Sequence, residues 1–360
     1  MEQYVEETKE ERKQRIQAEK KRLKHLLRIV ALFVLILAVL VVALCVQLVR
    51  SRFSEGGVGT EVAEDAEFSF TYVGDEAAEN GEEGASTPAI SLPVPEVKGD
   101  ALYSDYALMV RASDSAVVFD KAGSEMMFPA SMTKMMTVLV ALDADIDLRT
   151  QITVTQENID AGYIAGAAMA GFEAGETVTA EELMYGTILA SGADACLALA
   201  GEICEKPEEF VERMNAKAQE LGMTNTHFMN PTGLHDPEHY STCADIAILM
   251  KACMEKNTFR RIISTPTYTT EPTAQHPDGL TIRSTLFEVL VNNVLNNGVV
   301  IQGGKTGTTD EAQNCLASYA TAGNETYYLI TAHAADNAET SHPNISDAVT
   351  MYEQLPSVSG

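Results

Sequence analysis

The stretch Phe128-Pro-Ala-Ser-Met-Thr-Lys-Met-Met-Thr-Val-Leu-Val-Ala-Leu142 decides how the rest of the chain is read. From Met132 it is almost wholly apolar and too long for a strand, which predicts a buried helix. Pro129 suits the first turn of that helix. Ser131 then falls near the helix N-terminus, where backbone N–H groups without helical partners and the helix dipole favour developing negative charge. Lys134 follows three residues later, on the same face. Desolvation in an apolar helix disfavours the ammonium form, so the amine can serve as a base. A serine beside such a base is an activated nucleophile. Alone, Ser-x-x-Lys is a weak signal that also fits a helix start followed by a surface lysine. Two stretches downstream change its weight.

The first is Leu189-Ala-Ser-Gly-Ala-Asp-Ala-Cys-Leu-Ala-Leu-Ala200, in which Ser191-Gly192 interrupts two helical patterns. A serine on such a tight turn can project into a cleft. The second is Val299-Val-Ile-Gln-Gly-Gly-Lys-Thr-Gly-Thr-Thr309, an apolar strand running into Lys305-Thr306-Gly307. Around these, Tyr106–Ala112 and Ala116–Phe119 flank Ser113-Asp-Ser115 as a hairpin. Ile152–Val154 reads as a short strand, and Glu157–Ala170 is ambiguous. Thr179-Ala-Glu-Glu182 has capping-box character. Glu208–Leu221 is an amphipathic helix, and Ser241–Met254 a further one. Residues 255–285 are polar and irregular, with room for a short β excursion. Leu316–Ala320 and Tyr327–Ala332 read as strands, and Ile345–Leu355 as a closing helix. Strands, many helices, then strands again predict an α+β domain: an antiparallel sheet built from both ends and flanked by helices, with a mostly helical insert.

Charge is distributed unevenly along the 360 residues, whose formal net value is −27. Residues 1–28 carry net +3, residues 50–100 net −9 and residues 101–360 net −21. So acidic a body excludes nucleic acid as a partner, which would demand a basic face. Ile29–Val46 is an uninterrupted apolar run of 18 residues, long enough to span a bilayer. Lys20, Lys21, Arg22, Lys24 and Arg28 precede it, which orients the N-terminus to the cytoplasm and everything beyond Arg50 to the outside. A cleaved secretory signal is the rival reading. The leader of 28 residues is long for one, and no small-x-small site follows. The chain therefore divides into a basic cytoplasmic tail (1–28), a transmembrane anchor (29–49), an acidic, disordered tether (50–100) and an extracytoplasmic domain (101–360). A flexible coil of about 50 residues has an end-to-end distance of about 40 Å. Phe68–Val73 is a lone β-prone run without assignment. The expected location is thus the cell membrane, single-pass, with the catalytic domain outside.

Six cysteines (Cys45, Cys196, Cys204, Cys243, Cys253 and Cys315) form no Cys-x-x-Cys pair, so small buried side chains are expected rather than a zinc site or a disulfide framework. The seven histidines show no ligand spacing, and no metal or other cofactor is implied. His235 and His239 lie four apart in a loop and read as surface residues.

Ser131-x-x-Lys134, then Ser191, then Lys305-Thr-Gly307, separated by 60 and 114 residues, form the active-site set of penicillin-binding proteins and serine β-lactamases. Residues 101–355 more specifically resemble the serine D-alanyl-D-alanine carboxypeptidases, the low-molecular-mass penicillin-binding proteins. Pro129–Thr137, Ser191–Ala195, Met214–Met223, Asn230-Pro-Thr-Gly-Leu234 and Gly304-Lys-Thr-Gly-Thr308 carry the likeness in order. The resemblance implies a β-lactamase/transpeptidase-like fold and the following roles. Ser131 attacks the carbonyl of a terminal D-Ala-D-Ala bond in a peptidoglycan stem peptide, and Lys134 takes its proton. Ser191 relays a proton to the leaving group. Lys305 lines the other wall and supplies positive potential, and Thr306 binds the substrate carboxylate. The N–H groups of Ser131 and Thr308 form the oxyanion hole. β-Lactams acylate Ser131 as mimics of the dipeptide.

Two departures bear on this. The second motif of the family is usually Ser-x-Asn, and here its third position is Ala193, which has neither donor nor acceptor. A tolerated variant and an altered substrate alignment are the two readings. No lysine or arginine follows Lys305, where the family commonly places an arginine near the bound carboxylate. Around Asn337–Asn344 only His342 offers a cation, which leaves room for an endopeptidase. The sequence also stops soon after the closing helix, without the C-terminal β domain and amphipathic anchor of many relatives, and the N-terminal span is expected to replace that anchor. Two other functions compete with the carboxypeptidase. A silent wall-binding or β-lactam-sensing module is one. A β-lactamase is the other, disfavoured because no Glu-x-x-Leu-Asn motif is present.

Overall fold

The computed structural model describes residues 71–72, 94–99, 102–336 and 340–358. The basic tail, the apolar run at 29–46 and most of the acidic stretch lie outside the described residues. No helix among the described residues is long and apolar enough to cross a membrane.

A six-stranded sheet organises the domain. Its strands are β1 (Thr71–Tyr72), β2 (Ser104–Arg111), β3 (Ala116–Lys121), β8 (Val300–Thr309), β9 (Gln313–Ala322) and β10 (Glu325–Ala334), in the order β1-β3-β2-β10-β9-β8. All neighbours are antiparallel except β1, which runs parallel to β3, with Thr71 opposite Ala116 and Tyr72 opposite Val117. The expected β-prone run at 68–73 thus contributes two residues to the sheet. The strands from the two ends of the domain meet where β2 pairs with β10, Leu108 opposite Ile330.

The strands are apolar on both faces because both faces are covered. Leu108, Val110, Cys315, Ala317, Tyr319 and Ile330 point into the larger core, among the helices of the insert. Met109, Leu316, Ala320, Tyr327 and Leu329 point the other way, into a second core closed by helix α8 (Pro343–Tyr352). Val94 and Val97 pack into this second core, so packing reaches upstream of residue 101.

The insert holds α1 (Lys134–Asp143), β4 (Gln151–Thr153), α2 (Gln156–Ile164), β5 (Thr177–Thr179), α3 (Ala180–Ile188), α4 (Ala193–Ile203), α5 (Pro207–Glu220), α6 (Cys243–Glu255), α7 (Asn257–Ile263) and the hairpin of β6 (Thr267–Thr269) with β7 (Thr281–Arg283). Residues Lys134 through Ala141 of α1 are all buried, as an all-round apolar helix must be. Thr179 caps α3 in the expected capping box with Glu182, and Thr155 does the same for α2 with Asn158. The ambiguous stretch at 157–170 is therefore α2 followed by a loop. The irregular reading of 255–285 needs correction. α7 occupies its start, burying Phe259, Ile262 and Ile263 within seven residues. So short a helix gives too few turns for a periodic signal. The β excursion is β6–β7. The five described cysteines are all buried and free, as expected.

Candidate active site

Ser131 sits on a single 3-10 turn, Ala130–Thr133, that feeds directly into α1. Ala130 has φ +46°, a left-handed conformation that costs an L-residue about 1 kcal/mol or more. Burial of Met132, Met135 and Met136 beneath the turn holds it there. Lys134 Nζ reaches back to Ser131 Oγ at 3.0 Å and donates to the carbonyl oxygen of Thr232 at 2.6 Å. Burial pushes the Lys134 amine below its usual range, opposed by Cys196 and Asp194. The lone pair of a neutral amine at this distance is able to take the serine proton.

A second Ser–Lys couple stands beside the first. Ser191, in the turn between α3 and α4, has φ +59° and is nearly buried. A Cβ on Gly192 would lie 2.6 Å from the backbone nitrogen of Ala170, so glycine is what lets the turn pack. Lys305 Nζ donates to Ser191 Oγ at 2.9 Å and to the carbonyl oxygen of Thr306 at 2.7 Å. Burial, and then the charge of Lys134, hold Lys305 well below the ordinary lysine range. Here the expectation that Lys305 lines the wall needs correction: its side chain is fully buried, and Ser191 lines the cleft in its place.

β8 is an edge strand of the sheet, and its free side faces the Ser131 turn. A Cβ on Gly307 would lie 3.0 Å from the Ser131 nitrogen and 3.1 Å from the Pro129 oxygen. The strand and the turn therefore approach as closely as backbones can, with Thr306 and Thr308 on either side. Thr306 Oγ1 meets Thr285 Oγ1 at 2.6 Å. Thr285 went unnoticed in the sequence because a lone threonine after a short strand carries no motif. Together these residues line an open cleft of about 820 Å³ that includes Ser131, Lys134, Ser191, Thr306, Gly307 and Thr308.

The loop Asn230-Pro-Thr-Gly-Leu234 forms the floor beside Lys134. Asn230 Oδ1 accepts from the N–H groups of Thr232, Gly233 and Leu234, and Nδ2 donates to Leu234 O. Thr137 and Cys196 both donate to Pro231 O. Cys196 is buried under both lysines, and desolvation pushes its thiol up to about 11. Asp194 fixes the opposite wall, accepting from the N–H groups of Ala170, Gly171 and Phe172.

Ala193 is fully buried and does not line the cleft. Its N–H donates to Ala168 O, and its Cβ faces Gly162 of α2. Residues 165–168 line the cleft where Ala193 does not. His342 lines the cleft, as does His235, whose Nδ1 is 3.8 Å from Glu311 Oε2 and whose ring meets Phe128 edge-on. The surface reading of the two loop histidines therefore needs correction. His235 faces the cleft, and His239 is only 2% exposed. A loop rich in polar residues hides its inward-facing members from any periodic signal.

Comparison with known proteins identifies the family. A sequence profile described as D-alanyl-D-alanine carboxypeptidase (peptidase family S11) matches residues 94–335. The D-alanyl-D-alanine carboxypeptidase DacF of Bacillus subtilis is 33% identical over 219 residues, covering 61% of this chain and 54% of its own length. The chain thus spans little more than half of that relative. A D-alanyl-D-alanine carboxypeptidase of Streptomyces is 29% identical over 248 residues, 67% of this chain and 82% of the relative. The crystal structure of the Streptomyces K15 DD-transpeptidase superposes with a TM-score of 0.65 at 26% identity, over 72% of this chain and 98% of that one. Through a profile spanning five of the six strands of the sheet, the insert and both Ser–Lys couples, the chain belongs to the D-alanyl-D-alanine carboxypeptidase family.

Proposed function

We propose that this protein is a serine D,D-carboxypeptidase that removes the terminal D-alanine from peptidoglycan stem peptides. The observation that carries the reading is the 3.0 Å contact between Lys134 Nζ and Ser131 Oγ, with the amine buried and its pKa lowered. Ser131 Oγ attacks the carbonyl carbon of the D-Ala-D-Ala bond while its proton passes to Lys134. The N–H groups of Ser131 and Thr308 stabilise the oxyanion, and their approach depends on Gly307 having no side chain. Ser191, held by Lys305, relays that proton from Lys134 to the leaving amine of D-alanine, so both serine–lysine couples end the step as they began it. Water then attacks the acyl ester and restores Ser131. Thr306 and Thr308 bind the free carboxylate, and the His235 and His342 side chains also line the cleft. β-Lactams acylate Ser131 by the same first step.

The apolar run at 29–46 and the basic residues before it support a single-pass anchor that leaves the domain outside the membrane. The acidic stretch after it gives the domain reach toward wall layered above.

The test is D-alanine release from a pentapeptide ending in D-Ala-D-Ala, with Ser131→Ala as control. Release abolished by the substitution supports the reading. Penicillin labelling at Ser131 without release would replace it with a different amide substrate, such as a cross-link. Neither release nor labelling would sink it.

A further inference from the structure

His239 is a histidine without a place in the mechanism just described, yet it contacts the nucleophile's own turn. Its Nε2 lies 2.8 Å from Thr133 Oγ1, and its Nδ1 accepts from the Met229 N–H at 3.2 Å. Because Nδ1 must be an acceptor, the proton resides on Nε2, which donates to Thr133. Phe228 packs edge-on against the ring, with centroids 5.5 Å apart. Burial lowers the imidazole pKa to about 4, with His227 and His235 acting in the same sense and Asp236 opposing. The ring is therefore neutral across the neutral range, and its tautomer is single.

Thr133 occupies the last position of the 3-10 turn, two residues after Ser131 and directly before Lys134. The loop on the other side of His239 contains Thr232, whose carbonyl oxygen is the second acceptor for Lys134. That loop is anchored behind the ring by backbone pairing of His227 with Tyr240 and of Met127 with Ser241. A single imidazole thus bridges the two segments that set the Ser131–Lys134 distance.

We propose that His239 is a positioning residue for acyl transfer, locking Thr133 and the Ser131 turn to the loop that carries Thr232. The proposal rests on the acyl-transfer reading above and extends it to a residue that touches neither substrate nor nucleophile. It concerns alignment rather than affinity, since a misplacement of about 1 Å at reacting atoms costs about 100-fold in rate.

Glutamine can reproduce both contacts, accepting from Met229 through Oε1 and donating to Thr133 through Nε2; leucine can reproduce neither. The experiment compares wild type, His239→Gln, His239→Leu and Thr133→Val in the full chain. It measures acylation by a fluorescent penicillin and the kcat and KM of D-alanine release, with circular dichroism as a check of folding. We expect His239→Gln within about threefold of wild type. His239→Leu should lose at least about 30-fold in kcat and in acylation rate, with KM within about twofold. Thr133→Val leaves the imidazole in place and should repeat the loss, which covers the case of a leucine variant that does not fold. Wild-type rates in either folded variant overturn the proposal, as does a glutamine variant no better than leucine. A wild type that is itself inert overturns the carboxypeptidase reading, and this proposal with it; an active wild type with active variants overturns this proposal alone.

Discussion

A methyl group on Gly233 would lie 1.9 Å from the carbonyl oxygen of Ala130, and Gly233 has φ +80°. The floor of the cleft and the nucleophile turn are thus in backbone contact at a position where a side chain is excluded twice, by space and by conformation. Gly233→Ala must move one segment away from the other. We expect a loss of about 2–4 kcal/mol in unfolding free energy and at least a 10-fold slower penicillin acylation. Thermal denaturation and labelling rates check both. A variant with wild-type acylation would show that the loop does not set the position of Ser131.

Lys134 carries a pH signature. Its folded pKa is lowered, so the unfolded chain binds more protons than the folded one between that value and about 10.4, and stability rises with pH through this window. Lys134→Met removes the rise. It should be at least as stable as wild type at pH 7, with the advantage shrinking as pH increases, while acylation falls by about 1000-fold or more. In wild type, acylation should increase with pH along a limb below the ordinary lysine range. Rates independent of pH from 6 to 10 would remove Lys134 from the base role.

Ser191→Ala leaves the first Ser–Lys couple intact and takes from Lys305 its hydroxyl partner. Loss of a proton relay costs about 100- to 10,000-fold. We expect D-alanine release to fall in that range, and more steeply than penicillin acylation, whose leaving group stays tethered. Equal losses in both would assign Ser191 to binding.

Asp194→Ala leaves three N–H groups of the 170–172 backbone without their acceptor. Each buried unsatisfied donor costs about 1–3 kcal/mol. The expected result is destabilisation by about 1–3 kcal/mol, set mainly by the buried Phe172 N–H, with KM raised because the backbone that follows loop 165–168 loses its anchor. Urea denaturation and steady-state kinetics are the measurements.

Acid sensitivity has an identifiable contributor in His239. Its folded pKa of about 4 lies below the unfolded value of about 6.5. Its stabilisation is therefore complete above pH 6.5 and declines as pH falls toward 4, by roughly 3 kcal/mol in all. His239→Gln should flatten this part of the stability–pH curve. An unchanged curve would assign the acid transition to other groups.

Much of this arrangement was legible in the sequence because it is written in short motifs. Ser131 and Lys134 share one turn, Ser191 interrupts two helices, and Lys305 ends an apolar strand, so each local reading pointed at the cleft. The order of strands around a helical insert was legible for the same reason: alternation and capping are local. What escaped reading depends on contacts far apart in the chain. His239 meets Thr133 across 106 residues, and Thr285 meets Thr306 across 21. Nothing in a loop's composition tells which of its histidines turns inward. Lys305 was expected at the wall, but its depth follows from Ser191 and from how closely β8 approaches the turn. α7 was missed because two turns of helix carry little periodic information.

The position of β1 determines where mechanical load enters the domain. Tension on the chain ahead of Thr71 arrives at the β1–β3 pairing, at the sheet edge opposite β8. Five strand spacings, about 24 Å, separate that edge from the strand bearing Lys305. The two-residue ladder is the shortest in the sheet, and we expect it to act as a fuse. It yields before β2, and β8 lies at the far end of the force path. A pulling experiment should register early release of Thr71 and Tyr72 from β3 while penicillin labelling persists. Tension entering at Thr71 would meet this two-residue ladder before it reached β2, whose partner β10 stands two strands away from β8.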